Sequence, residues 1–233
     1  SKIHTDFIEV DEDTRINVKL KSGQETEINA PGPKVTQDQF QALLTQIKNT
    51  TNKDTVIVAG SVPNSIPSDA YAQIAEITKN TGAKLVVDAE KDLVETVLPY
   101  QPLFIKPNKD ELEVMFNTTV SSDQDVVKYG KEILKKGAQS VIISLGGDGA
   151  VYVDEQQSIK AVNPQGKVIN TVGSGDSTVA GMVAGLESGL SIQDAFKQAV
   201  ASGTATAFEE DLATRDAIEK IKSQVTVSVL DGE

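Results

Sequence analysis

The spacing of apolar residues changes from a period of two to a helical period near residue 36. Before that point, residues 14–21 alternate between apolar and polar, which predicts a β-strand with one face in water. After a turn at Gly23, residues 25–30 predict the returning strand of a hairpin, which ends at residues 31–33. A two-stranded hairpin alone is marginally stable in water, so we expect its apolar face to pack on another surface.

Beyond residue 36, amphipathic helical segments alternate with short apolar runs. Helices are predicted at residues 40–47, 71–79, 122–137 and 213–222, with two more between residues 175 and 208. Strands are predicted at residues 55–60, 84–88, 103–106, 140–144, 150–153, 158–162 and 225–230, the first of them buried. Ser122 and Asp125 form a capping box that opens one of the helices. This alternation predicts an α/β fold with a doubly wound, mostly parallel sheet and helices on both faces.

The composition limits the size of the fold and disfavours several classes of function. The 233 residues, 39% of them hydrophobic, suffice for one α/β domain, residues 34–233, with a small appendage, residues 1–33. A net charge of -12 without any basic block disfavours nucleic-acid binding, and no apolar run has the length of a membrane span. The chain has no cysteine, which excludes disulfides and thiolate metal sites within it and is typical of a cytoplasmic protein.

Residues 170–185 change from a loop into a helix and carry the main candidate chemistry. Gly173, Ser174 and Gly175 can turn three successive backbone N–H groups toward one point, where the helix dipole adds to the attraction for an anion. Asp176 places a carboxylate beside that point. This suits phosphoryl transfer to a hydroxyl, because the hydroxyl needs a base and the phosphoryl group needs donors. The alternative is an ordinary helix start in which Asp176 only compensates the dipole.

Further polar residues follow the ends of other predicted strands. Gly60 and Ser61 follow one strand, Asp88 ends the next, Lys106 ends a third, and the glycine-rich segment 144–149 follows a fourth. Since ligands of open α/β sheets bind at the carboxyl ends of the strands, this placement favours one shared site over unrelated turns.

The segment from Asn170 to Asp176 resembles the signature N-T-x-G-A-G-D of the ribokinase-like (PfkB) carbohydrate kinases, with Ser174 where that family often has alanine. The resemblance extends over nearly the whole chain. It implies a ribokinase-like fold in which residues 1–33 belong to a small β lid over the sugar. It also implies ATP-dependent phosphorylation, with Asp176 as the general base and the backbone of Gly173 to Gly175 as the anion hole.

The same resemblance implies roles for further residues. Arg15 and Asn17 of the lid would hold a phosphate of the substrate, and the G-S-x-P segment at Gly60 and Ser61 would lie beside the sugar. An N-x-x-E element, which organises magnesium and the nucleotide phosphates, is matched by Asn108 and Glu111. The implied nucleotide-binding residues are Lys106, Asn108, Ser144, Gly146, Gly147, Gly149, Gly175 and Ser202.

Simpler interpretations stay open for several of these positions. Arg15 also fits a solvated strand face. Asn108 and Glu111 also fit a helix cap with an acid that compensates the dipole. Ser202 and Thr206, one helical turn apart, also fit small polar residues that face the core.

Residues 14–18, 27–33 and 105–112 resemble the subgroup that acts on phosphorylated hexoses. The implied substrate is fructose 1-phosphate, with tagatose 6-phosphate as the alternative, and the implied cofactors are ATP and Mg²⁺. A non-catalytic protein that binds a sugar phosphate or a nucleotide is the competing class. The lid also implies a homodimer contact.

Two family motifs that contact the sugar, N-x-x-x-D and G-G-K-G-x-N, do not occur in the chain. In full members of the family they lie upstream of the lid. We therefore expect the protein to be longer than this chain, with an N-terminal segment that covers the apolar face of the hairpin.

Overall fold

The computed structural model describes residues 3–22 and 24–230. It begins with an antiparallel hairpin of β1 (Asn17–Ser22) and β2 (Gln24–Asn29). Residues 14–16, predicted as part of the first strand, lie outside it, and the predicted turn at Gly23 lies outside the described residues. The apolar face of the hairpin stays exposed within the described part of the chain. Its members are Ile16, Val18, Leu20 and Ile28.

The rest of the structure is built around a seven-stranded sheet of order β3-β4-β5-β6-β7-β8-β9. Its strands are β3 (Thr55–Ala59), β4 (Lys84–Asp88), β5 (Phe104–Ile105), β6 (Ser140–Ser144), β7 (Ala150–Asp154), β8 (Ser158–Val162) and β9 (Thr226–Val229). Strands β3 to β6 are parallel, and each pair from β6 to β9 is antiparallel. The α/β fold is confirmed, and the sheet is mixed because short turns join β6, β7 and β8 where the parallel half has helical crossovers.

Helices cover both faces of this sheet, as predicted. They are α1 (Gln37–Lys48), α2 (Ala70–Thr81), α3 (Lys91–Val97), α4 (Lys109–Phe116) and α5 (Asp123–Lys135) on one face, and α6 (Ser174–Glu187), α7 (Ile192–Ala207) and α8 (Arg215–Lys222) on the other. The predicted capping box of Ser122 and Asp125 opens α5. No helix within residues 3–22 and 24–230 is long and apolar enough to pass through a membrane.

Neighbouring residues of the central strands face opposite helix layers. On β4, Val86 packs in the cluster that includes Phe196 of α7, and Val87 packs in the cluster that includes Leu112 of α4. All four side chains are fully buried. Burial on both faces explains why these strands appear in the sequence as continuous apolar runs.

The prediction that the strand after residue 54 is buried was wrong. Strand β3 is the edge of the described sheet, and only one of its faces is covered. Val56 and Val58 pack against the α1 and α2 layer, whereas Ile57 is 46% exposed. An apolar run of five residues does not reveal whether one face or both faces of a strand are covered, since both readings fit the same pattern.

Candidate active site

A cavity of about 600 Å³ lies at the carboxyl ends of the parallel strands, between the turn after β6 and the start of α6. The predicted site residues that line it are Lys106, Asn108, Ser144, Gly146, Gly147, Gly149, Ser174 and Gly175. An apolar wall comes from α7 and the segment before α6, through Val168, Val200, Ala207 and Phe208. Residues far apart in sequence therefore meet where the strand-end rule predicts a ligand site.

The start of α6 has a defined geometry. Gly173 precedes the helix in a left-handed conformation (φ 79°), which favours glycine at this position. The Ser174 N–H donates to the Thr171 carbonyl (3.2 Å). It is therefore not one of the free donors that the sequence predicted. The N–H groups of Gly173 and Gly175 have no partner among the described residues and remain available to an anion.

The hydroxyl of Ser174 is unusual. Its oxygen is buried and has no hydrogen-bond partner among the residues that the structure describes, although Ser174 lines the cavity. An unpaired buried hydroxyl costs about 1–3 kcal/mol. Such a group is typical of a site that completes its hydrogen bonds on binding a ligand.

Asp176 follows in the first turn of α6, where its side chain is exposed. Its carboxylate forms no hydrogen bond or ion pair with a described residue. The charge of Asp176 nevertheless acts on Asp88. Burial is the main cause of the raised pKa of Asp88, and the negative charge of the nearby Asp176 raises that pKa further. Asp176 is thus an unengaged acid beside the start of α6, as a proton acceptor would need to be.

Lys106 and Asp88 form a buried ion pair beside this helix start. Lys106 directly follows β5 and Asp88 ends β4, and Nζ of Lys106 lies 3.2 Å from Oδ1 of Asp88. The two side chains are 9% and 18% exposed. Burial raises the pKa of Asp88, and the charge and hydrogen bond of Lys106 lower it in part. A Cβ atom at Gly175 would lie 3.3 Å from Nζ of Lys106, so the ammonium group adjoins the first turn of α6.

The glycine-rich segment after β6 forms a tight turn. Leu145 and Gly149 are joined by a hydrogen bond from the Leu145 N–H to the Gly149 carbonyl (2.9 Å). Gly149 has φ 95°, and a Cβ atom there would collide with the carbonyl of Ala161 on β8. Ser144, at the end of β6, donates its N–H to the Pro107 carbonyl (3.0 Å) and thereby joins the turn to the segment after β5. The turn is thus fixed between two strands.

The pair Asn108 and Glu111 forms a capping box at the start of α4, which matches the helix-cap alternative. The Glu111 N–H donates to Oδ1 of Asn108, and the Asn108 N–H donates to Oε2 of Glu111, both at 2.8 Å. Asn108 lines the cavity, whereas Glu111 does not. Within the described residues, no three carboxylate or imidazole groups are close enough to hold a metal ion together. The structure therefore shows the helix-cap role of this pair, and its role in metal binding stays a prediction.

Ser202 does not line the cavity, and its position matches the alternative interpretation of a small polar residue that faces the core. Ser202 lies in α7 and donates to the Gln198 carbonyl (2.8 Å), and a Cβ atom at Gly181 of α6 would lie 2.6 Å from its hydroxyl oxygen. Thr206 donates to the Ser177 hydroxyl (2.9 Å). Both residues therefore lie in the close contact between α6 and α7, where small side chains are needed.

The hairpin reaches the sheet through Arg15. Nε of Arg15 donates to the Ala30 carbonyl (2.7 Å), and its guanidinium also donates to the Ser61 hydroxyl. The predicted substrate residues Arg15 and Ser61 are thus in contact. Asn17 is exposed at the start of β1, opposite Asn29.

Gly60, next to Ser61, connects the same loop to the buried ion pair. Its N–H donates to the Asp88 carbonyl (3.1 Å), and its carbonyl accepts a hydrogen bond from the Tyr71 hydroxyl (2.7 Å). Burial and the charge of Asp88 raise the pKa of Tyr71 to about 12, so this phenol stays protonated as a donor at neutral pH. A series of contacts therefore runs from the hairpin to the start of α6.

Sequence reasoning placed Asp88 among the strand-end residues but gave it no role, because its ion pair with Lys106 arises only when β4 and β5 lie side by side. One residue of the site was missed altogether. Asn163 follows β8, and its side chain contacts both the glycine-rich turn and Thr204 of α7. No motif marks Asn163, so the sequence alone carries no signal for it.

Comparison with known proteins gives a consistent result. Residues 1–218 match the model of the pfkB family carbohydrate kinases. The 1-phosphofructokinase of Bacillus subtilis is 42% identical over 228 residues, which are 98% of this chain and 75% of that protein. The D-tagatose-1-phosphate kinase of Bacillus licheniformis is 35% identical over 230 residues, which are 98% of this chain and 76% of that protein.

Among solved structures, a Staphylococcus aureus protein described as a candidate phosphofructokinase is 80% identical, with a TM-score of 0.90 over 99% of this chain and 76% of that one. The family model covers most of the chain, and the structural match covers the sheet together with the cavity. The chain belongs to the pfkB family of carbohydrate kinases.

Proposed function

We propose that the protein transfers the γ-phosphoryl group of ATP to a phosphorylated ketohexose, with fructose 1-phosphate as the preferred substrate. The observation that carries this proposal is the start of α6. Gly175, with its free backbone N–H, and Lys106 line one cavity, and Asp176, with an unengaged carboxylate, follows in the same first turn of α6. Donors for a phosphoryl group and a base for a hydroxyl are the two requirements of this reaction.

The anion site would hold the transferring group through its oxygens. Gly175 offers a backbone N–H at the positive end of the α6 dipole. Lys106 adds a full positive charge next to Gly175. Since the side chain of Lys106 is mostly buried, its field is screened less by water than that of a surface lysine.

Asp176 would act as the general base. It would accept the proton of the attacking sugar hydroxyl as the new O–P bond forms and the bond to the β-phosphate of ATP breaks, leaving ADP. Asp88 differs from it, because Asp88 is buried and paired with Lys106. We therefore assign the proton transfer to Asp176 and the placement of Lys106 to Asp88.

The phosphate already present on the sugar would be bound by Arg15. A guanidinium can hold a phosphate through two parallel hydrogen bonds. Its present acceptors, the Ala30 carbonyl and the Ser61 hydroxyl, are neutral, so a dianionic phosphate would compete well for them. We also propose that Asn17, Gly60 and Ser61 line the sugar side of the site.

Magnesium is typical of the family, and the donor types fit it. Oxygen ligands and retained waters are what Mg²⁺ prefers, so few protein contacts are needed. Asn108, which lines the cavity, and Glu111, which caps the same helix, are the proposed residues. The ion would neutralise charge on the phosphates during transfer.

A second substrate has a specific observation in its favour. The tagatose-phosphate relative is named for the 1-phosphate, whereas the sequence resemblance indicated the 6-phosphate. We therefore place D-tagatose 1-phosphate as the second candidate.

We also propose that the exposed hairpin face, Ile16, Val18, Leu20 and Ile28, packs against a second copy in a homodimer, because an apolar two-stranded surface needs a cover.

A phosphotransfer panel tests the proposal. ADP release would be measured with ATP and each of fructose 1-phosphate, tagatose 1-phosphate, tagatose 6-phosphate and fructose 6-phosphate. We expect the highest kcat/KM with fructose 1-phosphate. A non-catalytic binding protein would bind ATP without any release of ADP, and highest activity with a 6-phosphate would overturn the substrate assignment.

A further inference from the structure

The side chain of Asn163 joins three elements around the cavity. Its Nδ2 lies 3.0 Å from the Gly146 carbonyl oxygen and 3.4 Å from that of Gly147. Its Oδ1 lies 2.8 Å from the hydroxyl of Thr204 on α7. Asn163 thus connects the segment after β8 with the glycine-rich turn after β6 and with α7.

The chemistry of the partners fixes the orientation of the carboxamide. Two carbonyl oxygens can only accept hydrogen bonds, so the NH₂ group must face them. The oxygen then faces Thr204, whose single hydroxyl proton is shared with the Val200 carbonyl at 2.8 Å. The reverse orientation would place three oxygens together without a proton between them.

This contact also sets the direction of a backbone donor. In a planar trans peptide, the C=O and the N–H point in opposite directions. The Gly146 carbonyl is held toward Asn163, so the N–H of Gly147 points away from it. That N–H has no partner among the described residues, in contrast to the N–H groups of Asp148 and Gly149, which donate to Leu145 and Gly146.

Glycine alone would not hold this arrangement. Gly146 and Gly147 have no neighbours within 4 Å of an added Cβ atom, so no packing restrains their peptide plane. Free glycines also lose more conformational entropy on ordering than other residues. Two hydrogen bonds hold the Gly146 carbonyl, one from the Gly149 N–H within the turn (3.2 Å) and one from the Asn163 carboxamide outside it (3.0 Å).

We propose that Asn163 is a positioning residue for the nucleotide. It holds the peptide between Gly146 and Gly147 so that the Gly147 N–H stays available to a phosphate oxygen of ATP. The inference rests on the proposed function for the identity of the ligand. Asn163 itself lines the cavity, but its Nδ2 is bonded to the turn and its Oδ1 to Thr204, so its proposed action on ATP passes through the turn.

The test uses the whole protein with three variants of the tether and one control. Asn163→Ala removes the tether, and Asn163→Asp keeps its shape but turns an acceptor toward the two carbonyls. Thr204→Val removes the anchor of Oδ1 together with the bond from the same hydroxyl to the Val200 carbonyl. The control is Gln139→Ala. Gln139 tethers the Gln101 carbonyl through its Nε2 (2.9 Å), but it precedes β6 and therefore lies at the amino ends of the parallel strands, opposite the cavity.

We expect Asn163→Ala to raise the KM for ATP about 5–30-fold, as for the loss of one preorganised hydrogen bond. The KM for the sugar phosphate should stay within about twofold of the wild-type value. Asn163→Asp should raise the KM for ATP more than Asn163→Ala does, and Thr204→Val should raise it less. Gln139→Ala should leave the KM values for ATP and for the sugar phosphate unchanged. Equal rises in both KM values, or an unchanged KM for ATP, would overturn the proposal.

Direct binding separates this inference from the proposed function. The dissociation constant for ATP can be measured by calorimetry without sugar phosphate. If the wild-type protein binds ATP but phosphorylates no sugar in the panel, the proposed function fails. In that case, a dissociation constant for ATP that is about 5–30-fold higher for Asn163→Ala would still support the role of Asn163. Equal ATP affinity of the two proteins would refute that role whatever the substrate.

Discussion

Gly175→Ala separates the stability of α6 from the function of its first turn. Gly175 lies within α6, and its φ is outside the left-handed region, so alanine fits the backbone. Replacing a helical glycine by alanine stabilises a helix by about 0.5–1 kcal/mol. The new methyl group would lie 3.3 Å from Nζ of Lys106 and 3.9 Å from Oδ2 of Asp88. The ammonium terminates a flexible side chain and can move by a few tenths of an ångström, so folding should tolerate the change.

Phosphoryl transfer should not tolerate it. An oxygen that accepts from both Lys106 and the Gly175 N–H must enter the space that the methyl group fills. Losing one preorganised donor to a developing charge costs about 10²–10³ in kcat. We therefore expect the melting temperature of Gly175→Ala to equal or exceed that of the wild type while kcat falls by that factor.

A second variant on the same helix calibrates the result. Ala180 is exposed on α6, and Ala180→Gly should lower the free energy of unfolding by about 0.5–1 kcal/mol with full activity. Thermal unfolding and ADP release would be measured for both variants. If Gly175→Ala kept wild-type turnover, the start of α6 would not be the phosphoryl site.

Three further outcomes are expected. Arg15→Ala should raise the KM for the sugar phosphate more than tenfold, as for a lost charged hydrogen bond, with little change for ATP; equal changes in steady-state kinetics would return Arg15 to the solvated-face interpretation. Asp88→Asn should change the pH dependence of stability. The pKa of Asp88 is raised by burial, so the wild type loses stability as the pH rises through that raised pKa, and the variant should lack this loss in melts at a series of pH values. Ser174→Ala should keep or raise the melting temperature because it removes an unpaired buried hydroxyl, whereas a clear drop would show that the hydroxyl has a partner.

Local rules predicted the helix starts well. The capping boxes at Ser122 with Asp125 and at Asn108 with Glu111 depend on residues three apart, and both are present. Strand ends were likewise placed by short apolar runs, and the rule that ligands bind there brought Lys106 and Gly175 into one site. Helix caps and strand ends can be predicted because they depend on residues that are close together in the sequence.

Long-range contacts limited the rest of the prediction. Ser202 was assigned to the cavity, but the approach of Gly181 on another helix turns it into a packing contact. The ion pair of Asp88 with Lys106 and the tether of Asn163 join residues that only the folded sheet brings together. Ile57 shows the same limit, because its exposure depends on which elements lie beside β3.

The most direct test compares wild-type protein with Asp176→Asn, which keeps the size of the side chain and removes its basicity. ADP release would be measured with ATP and fructose 1-phosphate, and ATP affinity by calorimetry. The account predicts a loss of about 10²–10⁴ in turnover, the usual contribution of a general base, with an unchanged dissociation constant for ATP. Wild-type turnover by Asp176→Asn would contradict it.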